Sequence, residues 1–66
     1  MSERKYVEYV VLDCDGNDYL AIEVGEHWTD ETARQEAACD LRRYEELCLV
    51  KGSVIKRTIT EEAVDV

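Results

Sequence analysis

The residues best placed to do chemistry cluster at one point of the chain. Asp13, Asp15 and Asn17 alternate along it, with Cys14 between the acids and Gly16 after them. Two carboxylates at alternate positions suit a nucleophile and a general acid–base partner. The same alternation of oxygen-bearing side chains opens a calcium loop. That loop also needs Gly at its sixth position and Glu at its twelfth; Asp18 and Val24 stand there, with Glu23 one residue early. His27 is the only imidazole and has no nucleophile beside it. No GxSxG, HExxH or glycine-rich phosphate loop occurs. Cys14, Cys39 and Cys48 form no CxxC, and with His27 they lack the close ligand pairs of a zinc knuckle. An odd cysteine count fits a reducing compartment, with the thiols as small buried or half-buried side chains. Neither a metal nor a cofactor is expected.

The segment Val10-Val11-Leu12-Asp13-Cys14-Asp15-Gly16 resembles the first motif of haloacid-dehalogenase-type phosphatases, an apolar strand running into DxDG. The resemblance implies Asp13 as phosphoryl acceptor and Asp15 as acid–base partner. Asn17 stands where that motif has Thr or Val. The chain of 66 residues is shorter than that α/β fold, and no downstream Lys with an acidic pair completes the site. The segment therefore reads as a hairpin turn carrying acids, and the chain as a binding protein and not an enzyme.

The elements that would position these residues are legible. Residues 6 to 14 are rich in β-branched and aromatic types, as are residues 19 to 24, and turn residues separate the two. A β-hairpin over 6–24 follows. In its register Val7, Tyr9 and Val11 share a face with Leu20, Ile22 and Val24, leaving Glu8, Tyr19, Ala21 and Glu23 opposite. Gly25 breaks the second strand. Thr29 is an N-cap, with Asp30 and Glu31 in the first turn and Trp28 placed to staple onto Ala33. Ala33, Ala37, Leu41, Tyr44 and Cys48 form one stripe of a helix over 30–47. Asp30 and Arg34, and Asp40 and Arg43, have the spacing of helix-surface ion pairs. Residues 47–50 fit either the helix end or a short strand. A last strand over 53–60 and an acidic tail over 61–66 complete the chain. The expected fold is a single α+β domain: an antiparallel sheet of three to four strands with one helix on one face, ββαβ or ββαββ.

Charge bounds the partners. Sixteen acids against eight bases give −8 at neutral pH. Phosphate affinity rests on Lys and Arg, so direct binding to nucleic acid or an anionic membrane is disfavoured. No apolar run exceeds four residues, far short of the ~20 that span a bilayer. No signal-peptide stretch follows Met1, so a cytoplasmic location is expected. Residues 1–31 carry −7, residues 32–60 carry +2 and the tail −3. The acids Glu8, Asp13, Asp15, Asp18, Glu23, Glu26, Asp30 and Glu31 thus form a candidate partner-binding face, with Tyr19 as an aromatic anchor. If Arg34, Arg42, Arg43, Lys56 and Arg57 gather on the helix and last strand, the molecule is bipolar. A domain this small and this charged also gains from a partner of opposite charge or from pairing with a second copy.

In size, acidity, cytosolic composition and one-helix-on-sheet plan, the whole chain resembles small phage-encoded inhibitors of bacterial defence, the anti-CRISPR proteins and other DNA mimics. The likeness is one of profile and carries no signature residues. It implies a stoichiometric inhibitor acting in the bacterial host cell. Its carboxylates would occupy a basic channel where target DNA sits, in a type I CRISPR-Cas effector complex such as Cascade. A different class is a regulatory or accessory module making a protein–protein interaction. Such a module would use a strand edge or the mixed outer sheet face (Val10, Leu12, Tyr19, Ala21).

Overall fold

A computed structural model describes residues 3–62. Three strands and one helix follow in the order β1 (Glu3–Leu12), β2 (Asp18–Glu23), α1 (Asp30–Cys48) and β3 (Ser53–Glu62). The sheet order is β2-β1-β3, antiparallel throughout. The fold is α+β, ββαβ. Residues 47–50 add no fourth strand: α1 runs one residue beyond the expected end, and Leu49 caps it in the left-handed region at φ 56.

The hairpin register is the one the alternation predicts, Tyr9 opposite Ile22 and Val11 opposite Leu20. The turn closes on Asp13, whose N–H donates to the Asn17 carbonyl at 2.9 Å and whose Oδ1 accepts from the N–H groups of Asp15 and Asn17. Gly16 supplies the positive φ (83°) that the turn requires. The register shifts between Val11 and Leu12, which pair with Leu20 and Asp18. Tyr19 is the extra residue of this bulge.

Tyr9, Val11, Ile22, Ala33 and Ala37 form the buried core, with Val24, Leu41 and Val54 packed against it. The small alanines let the helix backbone approach the sheet. Thr29 and Thr32 cap the helix reciprocally, each hydroxyl accepting the other's backbone N–H. Tyr44, buried on the same stripe, accepts the Cys14 N–H on its hydroxyl at 3.0 Å and ties the helix to the hairpin turn. Cys48 leaves the expected stripe. It lies in the last turn, exposed beside exposed Leu47 and Leu49. Cys14 and Cys39 are exposed as well, so the thiols are not the buried or half-buried fillers expected: Cys14 lies by the hairpin turn and Cys39 off the helix's buried stripe.

β1 begins at Glu3 and not Tyr6, and β3 runs on to Glu62. The expected tail thus starts inside the sheet. Glu61 pairs with Arg4 and Glu62 with Glu3 in the ladder, because β1 extends far enough to meet them. Residues 63–66 of that tail lie outside the described residues. β2 stops opposite Glu8, so Glu3–Tyr6 pair with β3 alone, as a two-stranded ribbon with no buried residue. The molecule is accordingly elongated. Its Cα radius of gyration is 14.1 Å, against about 11 Å for a compact domain of this length.

Two backbone positions between the helix and the last strand, Leu49 and Gly52, give opposite predictions. A Cβ on Gly52 would fall on the Leu12 carbonyl oxygen and crowd Leu41 and Tyr44. Gly52→Ala is expected to destabilise by about 1–3 kcal/mol. Leu49 is 87% exposed, so Leu49→Gly removes the left-handed strain and little burial. That change is expected to stabilise by about 0.5–1 kcal/mol. Urea denaturation of the two variants checks both signs.

Candidate partner-binding surfaces

The structure sorts the nine nominated residues into three groups. Glu8, Asp18, Glu23 and Asp30 are ion-paired within the chain. Arg57 donates to both carboxylate oxygens of Asp18 at 2.7 and 3.0 Å and lies 3.6 Å from Glu8. Arg4 donates to Glu23 at 2.9 Å and lies 3.9 Å from Glu61. Lys56 lies 3.2 Å from Asp30, which also accepts the Tyr9 hydroxyl at 3.0 and 3.1 Å. Asp13 and Tyr19 do internal work: Asp13 holds the turn, and the Tyr19 ring packs on Tyr44 with centroids 4.8 Å apart. Asp15, Glu26 and Glu31 are exposed, and their carboxylates have no ion-pair or hydrogen-bond partner among the described residues.

Two expectations change here. The −7 of the first thirty-one residues does not become one acidic face, because β3 lies beside β1 and brings Lys56 and Arg57 among those acids. The bipolar arrangement is therefore only half present. Arg34, Arg42 and Arg43 are exposed on the helix, and the other two cations have crossed to the acids. Within the helix Asp40 and Arg43 approach at 3.6 Å, whereas Asp30 takes Lys56 as its ion-pair partner in preference to Arg34. Tyr19 is not on the outer sheet face, since the bulge turns it toward the helix.

The outer face was only partly legible. Register places Tyr6, Val10, Leu12, Ala21, Ile55 and Ile59 on it, among the charges of Arg4, Glu8, Asp18, Glu23, Arg57 and Glu61. Val10 is fully buried there with no helix above it. Arg57 supplies the cover. To reach Asp18 on the far edge strand its side chain must cross β1 between Glu8 and Leu12, which is over Val10. The signal in the sequence was the long-stemmed Arg opposite Glu8, but only strand order reveals the reach to Asp18.

An open groove of about 520 Å³ runs beside β2 and the following loop, lined by Arg4, Glu23, Glu26, His27 and Trp28. Trp28 stands just before the cap, 36% exposed. Among the described residues no three His, Cys, Asp or Glu side chains cluster to hold a metal, and no helix is long and apolar enough to cross a membrane. The chain matches no protein-family model, curated protein or solved structure.

Hydrogen bonds from Arg57 hold the Asp18 carboxyl below its ordinary value, and Lys56 and Tyr9 do the same for Asp30. The cations shift upward in return. A carboxyl with a depressed folded value adds stability above its unfolded pKa and loses it as pH falls through the folded value. The Tm is expected to drop on acidification below about pH 4. Asp18→Asn and Asp30→Asn should each lower Tm at neutral pH and flatten that acid limb. Thermal melts across pH 2–7, bracketing the carboxylate range, check it.

Proposed function

We propose that this chain is a stoichiometric, non-catalytic inhibitor of a bacterial defence system. In this reading it is an anti-CRISPR that blocks target-DNA binding by a type I effector complex through carboxylates that stand in for phosphates. The observation that supports this reading is the acid excess the fold leaves uncompensated. Overall charge remains −8 after the internal pairs form, and Asp15, Glu26 and Glu31 stay exposed and unpaired among the described residues.

These three carboxylates are distributed, not clustered. Asp15 projects at the hairpin turn, and Glu26 and Glu31 lie beyond the other end of β2, roughly 20 Å away at strand rise. A channel lined by Arg and Lys would meet them as two separate anionic contacts, with charge-assisted hydrogen bonds to each. The net field of the molecule would speed the encounter and make affinity fall as salt rises. The paired acids Glu8, Asp18, Glu23 and Asp30 would add to the field while remaining committed to their own cations.

A second reading is favoured by one observation, the helix-free outer sheet face. Tyr6, Leu12, Ala21, Ile55 and Ile59 share that face with buried Val10; Ala21 is exposed there and the other four are half-buried. A regulatory or accessory module would bind its protein partner on this face, with little dependence on salt.

The test is a mobility shift of a purified type I effector on its target DNA. The protein is expected to abolish the shift near equimolar ratio, and added salt to restore it. Asp15→Lys combined with Glu31→Lys should raise the half-inhibitory concentration about tenfold or more. An unchanged shift at excess protein would sink the inhibitor reading. Inhibition indifferent to the charge reversals but lost in Leu12→Asp would transfer the role to the sheet face.

A further inference from the structure

We propose that two copies of this chain join edge to edge through β3, in an antiparallel register centred on Ile59. The product is one continuous six-stranded sheet with both helices on the same side. The inference stands apart from the inhibitor reading and uses different residues.

The edges of the sheet are unequal. β2 is six residues long and broken by the bulge at Tyr19. β3 is ten residues long, pairs with β1 without a register shift, contains no proline, and has no strand on its other side among the described residues. A long, regular edge of this kind is a template for another strand. The need is sharpest at its far end. There Glu3–Tyr6 and Ile59–Glu62 form the two-stranded ribbon that projects beyond β2. Such ribbons are marginal alone in water, and further strands stabilise them.

Symmetry restricts the partner's register. A two-fold axis normal to the sheet keeps faces matched, so one residue must stand opposite its own copy. Centring on Arg57 sets two guanidinium groups against each other. Centring on Thr58 sets Arg57 against Ile59, and Ile55 and Val54 against Glu61 and Glu62. Centring on Thr60 sets Ile59 against Glu61. Centring on Ile59 satisfies every pair from 56 to 62. Arg57 then faces Glu61 of the second copy, Lys56 faces Glu62, Thr58 faces Thr60 and Ile59 faces itself. Opposite charges, paired hydroxyls and an aliphatic pair directly across from each other are the favourable cross-strand combinations.

The faces agree too. Arg57, Ile59 and Glu61 lie on the outer face, and Lys56, Thr58, Thr60 and Glu62 on the helix face. On the outer face Ile59 is flanked by Tyr6 of its own chain, so the seam carries an apolar row from Tyr6 through two Ile59 side chains to the second Tyr6. Beside that row the signs alternate without a break. Asp18 and Arg57 of one copy meet Glu61, Arg4 and Glu23 of the other, and each link within a copy is an ion pair already made. The helix lies mainly over β1 and β2 and does not obstruct the β3 edge.

Sedimentation equilibrium on the unmodified chain, from ~100 μM to ~1 μM, is the primary test. A concentration-dependent dimer is expected. It should tighten from low to physiological salt, because two copies of charge −8 repel at long range while the seam pairs are local. Binding to a cationic partner would show the opposite trend, so the two ideas fail separately. Glu62→Lys sets a second cation opposite Lys56 and is expected to weaken the dimer about tenfold. Ile59→Lys sets like charges together at the centre and should do at least as much. Amide exchange on the unmodified chain gives a readout independent of both variants. The alternate β3 amides that point away from β1 should be protected at high concentration and exposed on dilution. A monomer at ~100 μM in physiological salt overturns the proposal. So does a dimer that both substitutions leave unchanged, or one whose outward β3 amides exchange freely.

Discussion

Ten successive antiparallel pairs between β1 and β3 set the first strand against the last. Since β2 also pairs antiparallel to β1, the two edge strands run parallel to each other with β1 between them. Parallel strands in one sheet need a long crossover, and here the crossover is the helix. It must pass over β1 to bring the chain from one edge to the other. That path buries one side of β1, which is why Tyr9 and Val11 belong to the core and why the alanine stripe faces them. It also leaves the other side of the sheet without a second layer.

The same ladder redistributes charge. In sequence, the acids of the hairpin and the cations Lys56 and Arg57 are far apart; in the sheet they are neighbours. Arg57 gains most from this. It is a fork matched to the Asp18 carboxylate, a neighbour to Glu8, and an aliphatic lid on Val10, which otherwise would lie open on a one-layer sheet. Lys56 acts at the other face, where it meets Asp30 at the first turn of the helix. Asp30 is doubly favoured there, by the positive end of the helix dipole and by the cation. The Tyr9 hydroxyl completes that group, so a buried ring keeps its polar end satisfied.

Local signals in the sequence carried the local structure. Alternation set the hairpin faces, Thr29 marked the cap, and steps of three and four residues marked the helical stripe. Each of these rests on residues within a few positions of one another. What the sequence did not disclose depends on order and length of pairing. Tyr19 follows the outer-face parity on paper, and one extra residue in the bulge moves it to Tyr44. Glu61 and Glu62 read as tail because polar residues give no strand signal, yet a long β1 supplies their partners. The acidic segment read as a face because segmental charge ignores which strand lies alongside. Of the nominated acids, those left unpaired among the described residues are Asp15 in the hairpin turn, Glu26 in the loop after β2, and Glu31 in the first turn of the helix, where the one cation that β3 presents, Lys56, is taken by Asp30.

Strand order also decides how the free acids relate to the β3 edge. Glu31 sits on the helix beside Asp30, whose cation is Lys56 of β3, whereas Asp15 belongs to the turn that joins β1 to β2 and Glu26 to the loop that leaves β2, so these two belong to the side of the sheet away from β3. Pairing through β3 would leave them at the two outer rims of a doubled sheet. The rims would be related by the two-fold axis, each carrying the same two carboxylates. A cationic partner with a repeated or extended basic surface would then meet two equivalent acidic rims on one rigid body. The second contact becomes intramolecular and raises avidity without any new residue, provided the spacing of the rims fits the target. A sheet that is short, one-layered and highly charged is weak on its own. The same weakness makes its edge and its charge available, one to a second copy and the other to a partner.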